Sequence, residues 1–413
     1  MKIVEINMSV EGSTGRIMLQ IADKARHNGH EVKTYSTHRF SIPYSKLPDP
    51  PDGHIYFGNY IENFIHFCFN RVFGFHGLFS WFGTISLINQ LKKFKPDIVN
   101  LHNLHGSCIC LPFLFNYLKK SNVVVVWTLQ DCWAITGCCT HFVRANCMKW
   151  RSGCYNCPLY KEGYLKSLVD QSKLLWNIKR KIYSGFNKLY LIPTSKWLEN
   201  HVSNSILKCY PTKVIYNGID TKIFKPTESS FRDDYELNNK YVILGVSAVW
   251  DDRKGLDVFI ELSKSLSKDK FAIVLVGTDK NVDNILPQNI ISIHRTANQI
   301  ELAKLYTMAD VFVNPTKEDD FPTVNIEALA CGTPVVAYDT GGCSEAIDEN
   351  TGRIVEYNDV EYLIQTIEKD SQDRLFNREA CRKRALLFDK DYRYSEYIDL
   401  YDQLMKGRPD NIL

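Results

Sequence analysis

Residues 251–255 combine charges in a way that suits an anionic ligand. They read DDRKG and place Arg253 and Lys254 where a helix is expected to begin. Cations at a helix N-terminus oppose the helix dipole, so an anion bound there would remove the conflict. Arg binds phosphate through two parallel hydrogen bonds, and Lys adds a mobile point charge. The segment therefore predicts a phosphate site, with solvated loop charges as the alternative.

A second segment, 314–334, carries a cluster of acids. Three consecutive carboxylates run from Glu318 to Asp320, and Glu327 falls one turn into the next predicted helix. Clustered carboxylates repel one another unless a ligand shares them, and they accept hydrogen bonds from the vicinal hydroxyls of a sugar. This pattern predicts a site for a ribose or a hexose.

The first half of the chain offers weaker signals. Gly12 and Gly15 lie in a turn before a helix, where backbone N–H groups can approach an anion. The turn matches neither the dinucleotide fingerprint nor the Walker phosphate loop, and a turn without a ligand is the alternative. Further along, His102, Gln130 and Asp131 follow two apolar strand candidates. For His102, packing or capping of its loop is the alternative.

These segments require a scaffold that brings strand ends together. Apolar and β-rich runs alternate with helix-length segments in both halves of the chain. The predicted strands are 2–7, EVKTYS, 97–103, 123–129 and 188–195 in the first half, and 241–249, 270–277, 289–296, 310–316, 333–340 and 351–357 in the second. The sequence thus predicts an α/β fold with two doubly wound, Rossmann-like domains that face each other across a cleft.

The domain limits follow from turn signals and composition. We expect an N-terminal, acceptor-side domain at 1–210, a linker at 211–235 and a nucleotide-sugar-binding domain at 236–385. A C-terminal helix at 386–413 is expected to return to the N-terminal domain. Two insertions are expected in that domain, an aromatic one at 55–95 and a Cys-rich one at 132–158.

Composition excludes several classes of protein. With 413 residues, 45% of them hydrophobic and 23% charged, the chain is neither a single small module nor a disordered or fibrous protein. Its 50 Lys and Arg against 47 Asp and Glu give a net charge of +3, which argues against a dedicated nucleic-acid binder. Glu5 interrupts the apolar part of a would-be signal peptide, so we expect a cytoplasmic protein.

Several motifs resemble a known family. EALACGTPVVAYDTGG, which begins at Glu327, resembles the signature of family 4 retaining glycosyltransferases of the GT-B architecture. The resemblance extends over essentially the whole chain and is closest to the branch that makes capsule, O-antigen or colanic-acid-like exopolysaccharide. The runs similar to that branch are LHNLHG, WTLQDCWAITGCCTHF, KWRSGCYNCP and PTSKWL.

The resemblance implies transfer of a sugar from a nucleotide-diphosphate sugar to a hydroxyl, with retained anomeric configuration and without a metal ion. Arg253 and Lys254 would bind the diphosphate and Glu327 the ribose. Asp319, with Glu318 before it, would contact the donor sugar or the backbone that cradles it. Backbone N–H groups would complete the donor site. They belong to Phe321, Thr323 and Val324, and the Gly12–Gly15 turn would close from the opposite domain.

Two positions depart from the family pattern. Gln130 stands where this branch usually has a His that lines the donor-sugar pocket, and Asp319 stands where the family usually has Glu. Gln cannot hold a proton near neutral pH, so His102 or His105 would replace the missing group if one is required. Asp131 would position the acceptor. These departures keep open an alternative function, a catalytically weak nucleotide-sugar-binding or scaffolding subunit.

A stretch of 20 uncharged residues, 72–91, lies between Arg71 and Lys92. Its glycines and polar residues argue against a membrane span. The aromatic side chains and the flanking cations suit a helical hairpin on a membrane surface, and an insertion buried between two strands is the alternative. Since the family resemblance implies a polyprenyl-linked saccharide acceptor, we expect peripheral binding to the inner face of the cytoplasmic membrane.

The chain has 13 cysteines, of which six fall between 132 and 157. Four of the six have the spacing C-x7-C-x6-C-x2-C, which predicts a structural zinc site with no catalytic role. Its ligands would be Cys139, Cys147, Cys154 and Cys157. Buried thiols and disulfides are the alternatives. No other cofactor is expected.

Overall fold

Two six-stranded parallel sheets organise the chain in the computed structural model, which describes residues 1–37, 51–163 and 165–407. Each sheet belongs to a separate unit. Unit 1 comprises Met1–Tyr216 and Arg393–Leu413, and unit 2 comprises Asn217–Tyr392. Residues 408–413 of the predicted C-terminal segment lie outside the described residues.

Unit 1 has the strand order β3-β2-β1-β4-β5-β6, which is the order of a Rossmann fold. β4 and β5 are buried along their whole length, as expected for central strands covered on both faces. The elements are β1 (Lys2–Ile6), α1 (Gly12–His27), β2 (Glu31–Thr37), β3 (His54–Phe57), α2 (Tyr60–Phe73), α3 (Trp81–Phe94), β4 (Ile98–Leu101), α4 (Leu111–Lys120), β5 (Val124–Leu129), α5 (Ser172–Tyr183), β6 (Leu189–Pro193) and α6 (Lys196–Val202).

Unit 2 has the order β12-β11-β10-β7-β8-β9, the same arrangement starting from β7. Its core joins apolar residues of these strands to α8 and α12. The elements are α7 (Phe231–Asp234), β7 (Tyr241–Val246), α8 (Leu256–Ser265), β8 (Phe271–Val276), α9 (Lys280–Asp283), β9 (Ile290–Ile293), α10 (Gln299–Met308), β10 (Val311–Asn314), α11 (Thr323–Ala330), β11 (Val335–Tyr338), β12 (Gly352–Val355), α12 (Val360–Asp373) and α13 (Arg378–Leu386). The predicted pair of Rossmann-like domains is confirmed.

The last helix, α14 (Lys390–Met405), continues from unit 2 into unit 1. Its Tyr394, Tyr397 and Tyr401 are buried in a core cluster that also contains Ile3 of β1 and Ile21 of α1. The helix therefore helps to cover one face of the unit 1 sheet.

One strand was missed by sequence reasoning. β3 pairs in parallel with β2, and its buried His54 contacts Thr34 and Ser36 at 2.8 and 3.1 Å. A four-residue strand with two half-buried residues gives little periodic signal. Segment 55–95 was expected as an insertion. It contains most of β3, followed by α2 and α3, and these two helices connect β3 to β4.

Candidate active site

In unit 2, the predicted donor residues follow two neighbouring strands. β7 and β10 pair in the centre of the sheet. From β7 the chain continues to β8 and β9 on one side of the sheet, and from β10 it continues to β11 and β12 on the other side. Ligands of open α/β sheets bind at this type of switch point, beyond the carboxyl ends of the strands. The loop after β7 carries Arg253 and Lys254, and the loop after β10 carries Glu318 and Asp319.

Carboxylates from its own residues and from the loop after β10 hold the loop after β7. The Asp251 carboxylate accepts a hydrogen bond from the Lys254 backbone N–H at 3.1 Å, which closes a 3-10 turn over Asp252–Lys254. Lys254 Nζ donates to Asp319 Oδ2 at 2.7 Å. Arg253 Nε lies 3.9 Å from Asp251 Oδ2. Lys254 and Asp319 thus form one ion pair, although they are far apart in the sequence.

Lys317, which sequence reasoning did not single out, joins the two loops. Its buried Nζ donates to Asp252 and Asp257, each at 2.8 Å, and its backbone N–H donates to the Arg253 carbonyl at 2.8 Å. Burial alone lowers the pKa of Lys317, but hydrogen bonds to these two carboxylates raise it above its usual value. Lys317 is therefore a cation already paired with carboxylates of the protein, and it links the loop after β10 to the loop after β7 and to α8.

The remaining predicted donor residues lie around the start of α11. Pro322 precedes the helix and provides no side-chain cap, and the backbone of Thr323 and Val324 forms the first turn. Glu327 Oε2 accepts a hydrogen bond from the Tyr306 hydroxyl at 3.1 Å. Phe321 is buried with its ring 5.7 Å from that of Phe388. The helix N-terminus and an oriented carboxylate thus lie within one turn of each other.

In unit 1, the predicted residues also follow neighbouring strands. Gly12 and Gly15 begin α1 after β1, His102 follows β4, and Gln130 and Asp131 follow β5. A Cβ on Gly15 would lie 2.3 Å from the Val10 carbonyl, so the close approach of α1 to its loop requires glycine there. A cavity of about 10 Å³ lies among residues 102–105, 127–131, 133 and 134.

Asp131 is held in a fixed orientation. Its Oδ1 accepts the Trp133 backbone N–H at 2.8 Å, and its Oδ2 lies 2.8 Å from His105 Nε2. Burial raises the pKa of Asp131, but the adjoining His105 ring and the Trp133 N–H outweigh this effect and lower it below the usual range. Asp131 is therefore a carboxylate at neutral pH, paired with His105.

Both ring nitrogens of His102 are engaged inside unit 1. Nε2 lies 2.7 Å from Glu5 Oε2, and Nδ1 lies 3.3 Å from Gln130 Nε2. The Trp127 indole N–H donates to the His102 carbonyl at 3.1 Å. His102 thus contacts the buried Glu5 of β1 on one side and Gln130 on the other, and sequence reasoning did not pair Glu5 with a site residue.

A buried lysine supports the loop that begins at Asp131. Lys179 Nζ donates to the carbonyls of Trp133 and Thr136 at 2.6 and 3.1 Å, and lies 3.6 Å from the centre of a Trp133 ring. Burial lowers the pKa of Lys179 to about 7. No sequence signal marked this residue, because its partners lie more than 40 positions away.

The Cys-rich segment brings thiols together in part. Cys138 Sγ and Cys157 Sγ are 3.8 Å apart, and Cys154 Sγ accepts the Gly137 N–H at 3.2 Å. Hydrogen bonds from the Cys138 and Cys139 thiols lower the pKa of Cys157. All 13 cysteines are described and none forms a disulfide, and the described residues contain no group of three or more His, Cys, Asp or Glu arranged to hold a metal ion. The zinc site stays a prediction.

Comparison with known families identifies the chain. Residues 14–223, more than half of it, match the family model described as Glycosyltransferase Family 4, and residues 228–387 match the model described as Glycosyl transferases group 1. The chain therefore belongs to glycosyltransferase family 4, and the predicted resemblance is confirmed.

Two relatives illustrate the similarity. A putative colanic acid biosynthesis glycosyl transferase, WcaC of Escherichia coli K12, is 22% identical over 75% of this chain and 77% of its own length. The N,N'-diacetylbacillosaminyl-diphospho-undecaprenol alpha-1,3-N-acetylgalactosaminyltransferase of Campylobacter jejuni is 30% identical over 46% of this chain and 54% of its own length.

Solved structures share the fold over the full length. Sucrose-phosphate synthase from Thermosynechococcus elongatus covers 98% of this chain and 99% of its own, with a TM-score of 0.72 and 18% identity. Anabaena Alr3699/HepE, solved in complex with UDP, covers 98% and 100%, with a TM-score of 0.68 and 15% identity. At these identities the likeness establishes the GT-B fold.

Proposed function

We propose that this glycosyltransferase moves a sugar from a nucleotide-diphosphate sugar to a hydroxyl of a polyprenyl-linked saccharide, with retention of configuration, during synthesis of a bacterial surface polysaccharide. The observation that carries the donor assignment is the pairing of Lys254 with Asp319 beside Arg253, where β7 and β10 end. Cations next to oriented carboxylates suit a diphosphate attached to two sugars.

The residues of unit 2 then have separate roles. Arg253 and Lys254 bind the diphosphate and stabilise the negative charge that develops on the leaving phosphate. Backbone N–H groups of Phe321, Thr323 and Val324 add to this stabilisation. Glu327, held by Tyr306, binds the ribose, and Asp319 with Glu318 contacts the donor sugar. Because two side-chain cations serve the diphosphate, the reaction needs no metal ion.

In unit 1, the paired Asp131 and His105 position the acceptor hydroxyl. The departing phosphate accepts the acceptor proton, so no separate side-chain base is required. Gly12 and Gly15 allow backbone N–H groups at the start of α1 to approach the donor phosphate.

Donor binding and hydrolysis test this proposal. UDP-, GDP- and dTDP-sugars are screened by thermal shift, since a bound donor stabilises the native state. We expect one donor to raise the melting temperature and to release its nucleoside diphosphate slowly, at an unchanged rate in EDTA. Stabilisation without any hydrolysis or transfer would favour the scaffolding alternative, and loss of activity in EDTA would contradict metal independence.

The acceptor side of the proposal rests on the surface of α2. The polar face of this helix is buried and its apolar face is exposed, the reverse of the usual arrangement. The buried face carries Asn63, His66 and Asn70, which contact Ser80 and Ser107. Its exposed face and the start of α3 are apolar. The exposed apolar residues are Tyr60, Ile61, Phe64, Ile65, Phe69, Val72, Phe73, Trp81, Phe82 and Ile85.

An apolar face of this size is typical of a binding surface. On α3 the exposed stripe that begins with Phe82 continues to Lys92 and Lys93 in the last turn. This combination suits a bilayer, whose hydrocarbon takes the apolar side chains and whose anionic headgroups attract the lysines. We therefore assign the surface to an anionic lipid leaflet. No helix in the described ranges is long and apolar enough to cross a membrane.

Vesicle sedimentation tests the assignment. We expect the protein to bind phosphatidylglycerol vesicles at low salt, to dissociate at high salt, and to bind phosphatidylcholine vesicles weakly. The double substitution Ile61→Ser and Phe82→Ser, at side chains that are 70% and 74% exposed, should lower partitioning by more than about tenfold. Ile300→Ser, 56% exposed on α10, is the matched control and should bind normally. Equal binding by all three proteins would refute the assignment.

A further inference from the structure

A small cavity lies beside the last turn of α2 in unit 1. Its walls come from α2, from His76 in the loop between α2 and α3, from Gly106 and Ser107 after β4, and from residues 165–166. The cavity measures about 10 Å³, which is space for one oxygen-sized group. It is separate from the cavity that Gln130 and Asp131 line.

Buried polar atoms without a partner line this cavity. His76 is 4% exposed, and within the described residues neither of its ring nitrogens makes a hydrogen bond, although the Leu165 backbone adjoins the ring. Asn70 is also 4% exposed. Its Nδ2 donates to Ser107 Oγ at 2.5 Å, while its Oδ1 has no partner in the same part of the chain. Because buried polar atoms are normally paired, these atoms indicate a bound ligand or an ordered water.

The charges around the cavity favour an anion. Arg71 and Lys166 line it, and Arg71 Nη1 donates to the Lys166 carbonyl at 3.1 Å, which brings the two residues together. Burial lowers the pKa of His76 to about 4, and the neighbouring basic groups Lys179, His105 and Arg71 act in the same direction. The His76 ring is therefore neutral at physiological pH, in surroundings of positive charge.

A phosphate group suits these side chains. One phosphate oxygen inside the cavity would accept the single N–H of the neutral His76 ring, and other oxygens would accept from Arg71 and Lys166. Asn70 can turn its NH2 group toward the same oxygen, because the Ser107 hydroxyl is able to donate to Oδ1 as well as to accept from Nδ2. An ordered water would serve His76 and Asn70 but would leave the positive charge at the rim unused.

Apolar side chains flank the cations on both sides. Val72 and Phe73, which follow Arg71 on α2, are 41% and 44% exposed. On the other side, the Leu168 N–H donates to the Arg71 carbonyl at 2.8 Å, and Leu168 and Val169 are 71% and 43% exposed. A phosphate bound between these residues would have hydrocarbon contacts beside it, as the phosphate of a lipid does at the surface of a bilayer.

We propose that this cavity binds the phosphate group of a membrane lipid, with His76 inside the cavity and Arg71 and Lys166 at its rim. The inference rests on the proposed docking of the α2 surface on a lipid leaflet and adds a specific headgroup contact to it. The phosphate belongs to a glycerophospholipid of the leaflet or to the diphosphate of a polyprenyl-linked saccharide. Both carry phosphate oxygens at the end of a hydrocarbon chain.

The first test observes His76 directly. The full chain is labelled with ¹³C at the histidine Cε1 position, and the His76 signal is assigned by its loss in His76→Gln. The protein is titrated with monomeric dihexanoyl phosphatidylglycerol and, separately, with farnesyl diphosphate. We expect a saturable shift of the His76 signal, and a smaller one with inorganic phosphate at the same concentration, because inorganic phosphate lacks the apolar contacts.

The two lipids distinguish the source of the phosphate. A response to phosphatidylglycerol alone assigns the site to a leaflet lipid, and a response to farnesyl diphosphate alone assigns it to a polyprenyl diphosphate. A response to both supports a site for the shared phosphate group. A His76 signal that responds to neither lipid would overturn the proposal, since the cavity would then hold water only.

The second test compares two arginines. Arg71→Gln should weaken binding of the responding lipid by about 10- to 100-fold, the effect of one lost charge-assisted hydrogen bond. Arg180→Gln is the matched control: Arg180 is exposed on α5 and lies 5.3 Å from the centre of the Trp176 ring, as Arg71 lies 5.2 Å from that of Phe67. The control should bind with wild-type affinity. Equal affinity of Arg71→Gln and the wild-type protein would overturn the proposal.

Failure of this inference is distinguishable from failure of the membrane assignment, because the soluble lipids do not require a bilayer. Vesicle binding with an unresponsive His76 would contradict the phosphate site alone. A His76 response without vesicle binding would contradict docking on a leaflet and leave the phosphate site in place.

Discussion

Replacing Lys254 with alanine should reduce sugar transfer by about 10²- to 10³-fold, the usual cost of removing one group that stabilises developing charge. Lys254 Nζ lies 2.7 Å from Asp319 Oδ2 in the loop after β10, the acidic loop. A donor diphosphate would compete with Asp319 for the Lys254 ammonium group. Removal of this ammonium group therefore costs stabilisation of the charge that develops on the phosphate in the transition state. We expect kcat to fall more than donor KM rises.

The stability of the fold is expected to change little in this variant. The Lys254–Asp319 pair is partly exposed, and exposed ion pairs contribute about 0–1 kcal/mol. Lys264→Ala, at an exposed lysine of α8 that pairs with Glu261, is the matched control and should transfer sugar at the wild-type rate. Undiminished transfer by Lys254→Ala, with an unchanged melting temperature in both variants, would refute the phosphate role.

The fold was predictable where the chain gives long buried strands. All six strands of unit 2 coincide with predicted runs, because strands covered on both faces are continuously apolar, as in β8. β3 was not predictable in this way, since two of its four residues are half-buried. Its pairing with β2 brings the buried His54 into contact with Thr34 and Ser36, which only the folded chain reveals.

The candidate site was predictable as far as strand ends identify it. Arg253, Lys254 and Asp319 were found because they follow strands in a family-like pattern. The supporting Lys317 was not found, because its contacts with Asp252 and Asp257 span 60 positions or more of sequence. Such pairs depend on tertiary structure, which periodicity does not encode.

The α2 helix shows a different limit. Its polar residues Asn63, His66 and Asn70 share one face, which the usual amphipathic rule assigns to solvent. The structure buries this face and exposes the apolar one. Sequence periodicity defines the polar and the apolar face of a helix. It does not define which face packs against the protein when the apolar face is suited to a membrane surface.

Replacing Gly341 with alanine should destabilise unit 2 by more than about 3 kcal/mol, through strain and overpacking together. Gly341 has φ +58°, and a Cβ there would lie 1.5 Å from the Asp319 carbonyl oxygen, so the acidic loop must move. Gly332→Ala is the control in the same unit: its φ is +78°, but its nearest neighbour would lie 3.4 Å from the Cβ, so only the backbone cost of about 1–2 kcal/mol applies. Hydrogen exchange of peptides from β10 and β11 should therefore rise far more in Gly341→Ala than in Gly332→Ala, while β4 and β5 of unit 1 remain protected.

Donor-induced stabilisation should also be lost in Gly341→Ala, because displacement of Asp319 separates it from Lys254. Equal exchange in the two variants would mean that the acidic loop adapts to the added methyl group and that its position is not fixed by the approach of Gly341.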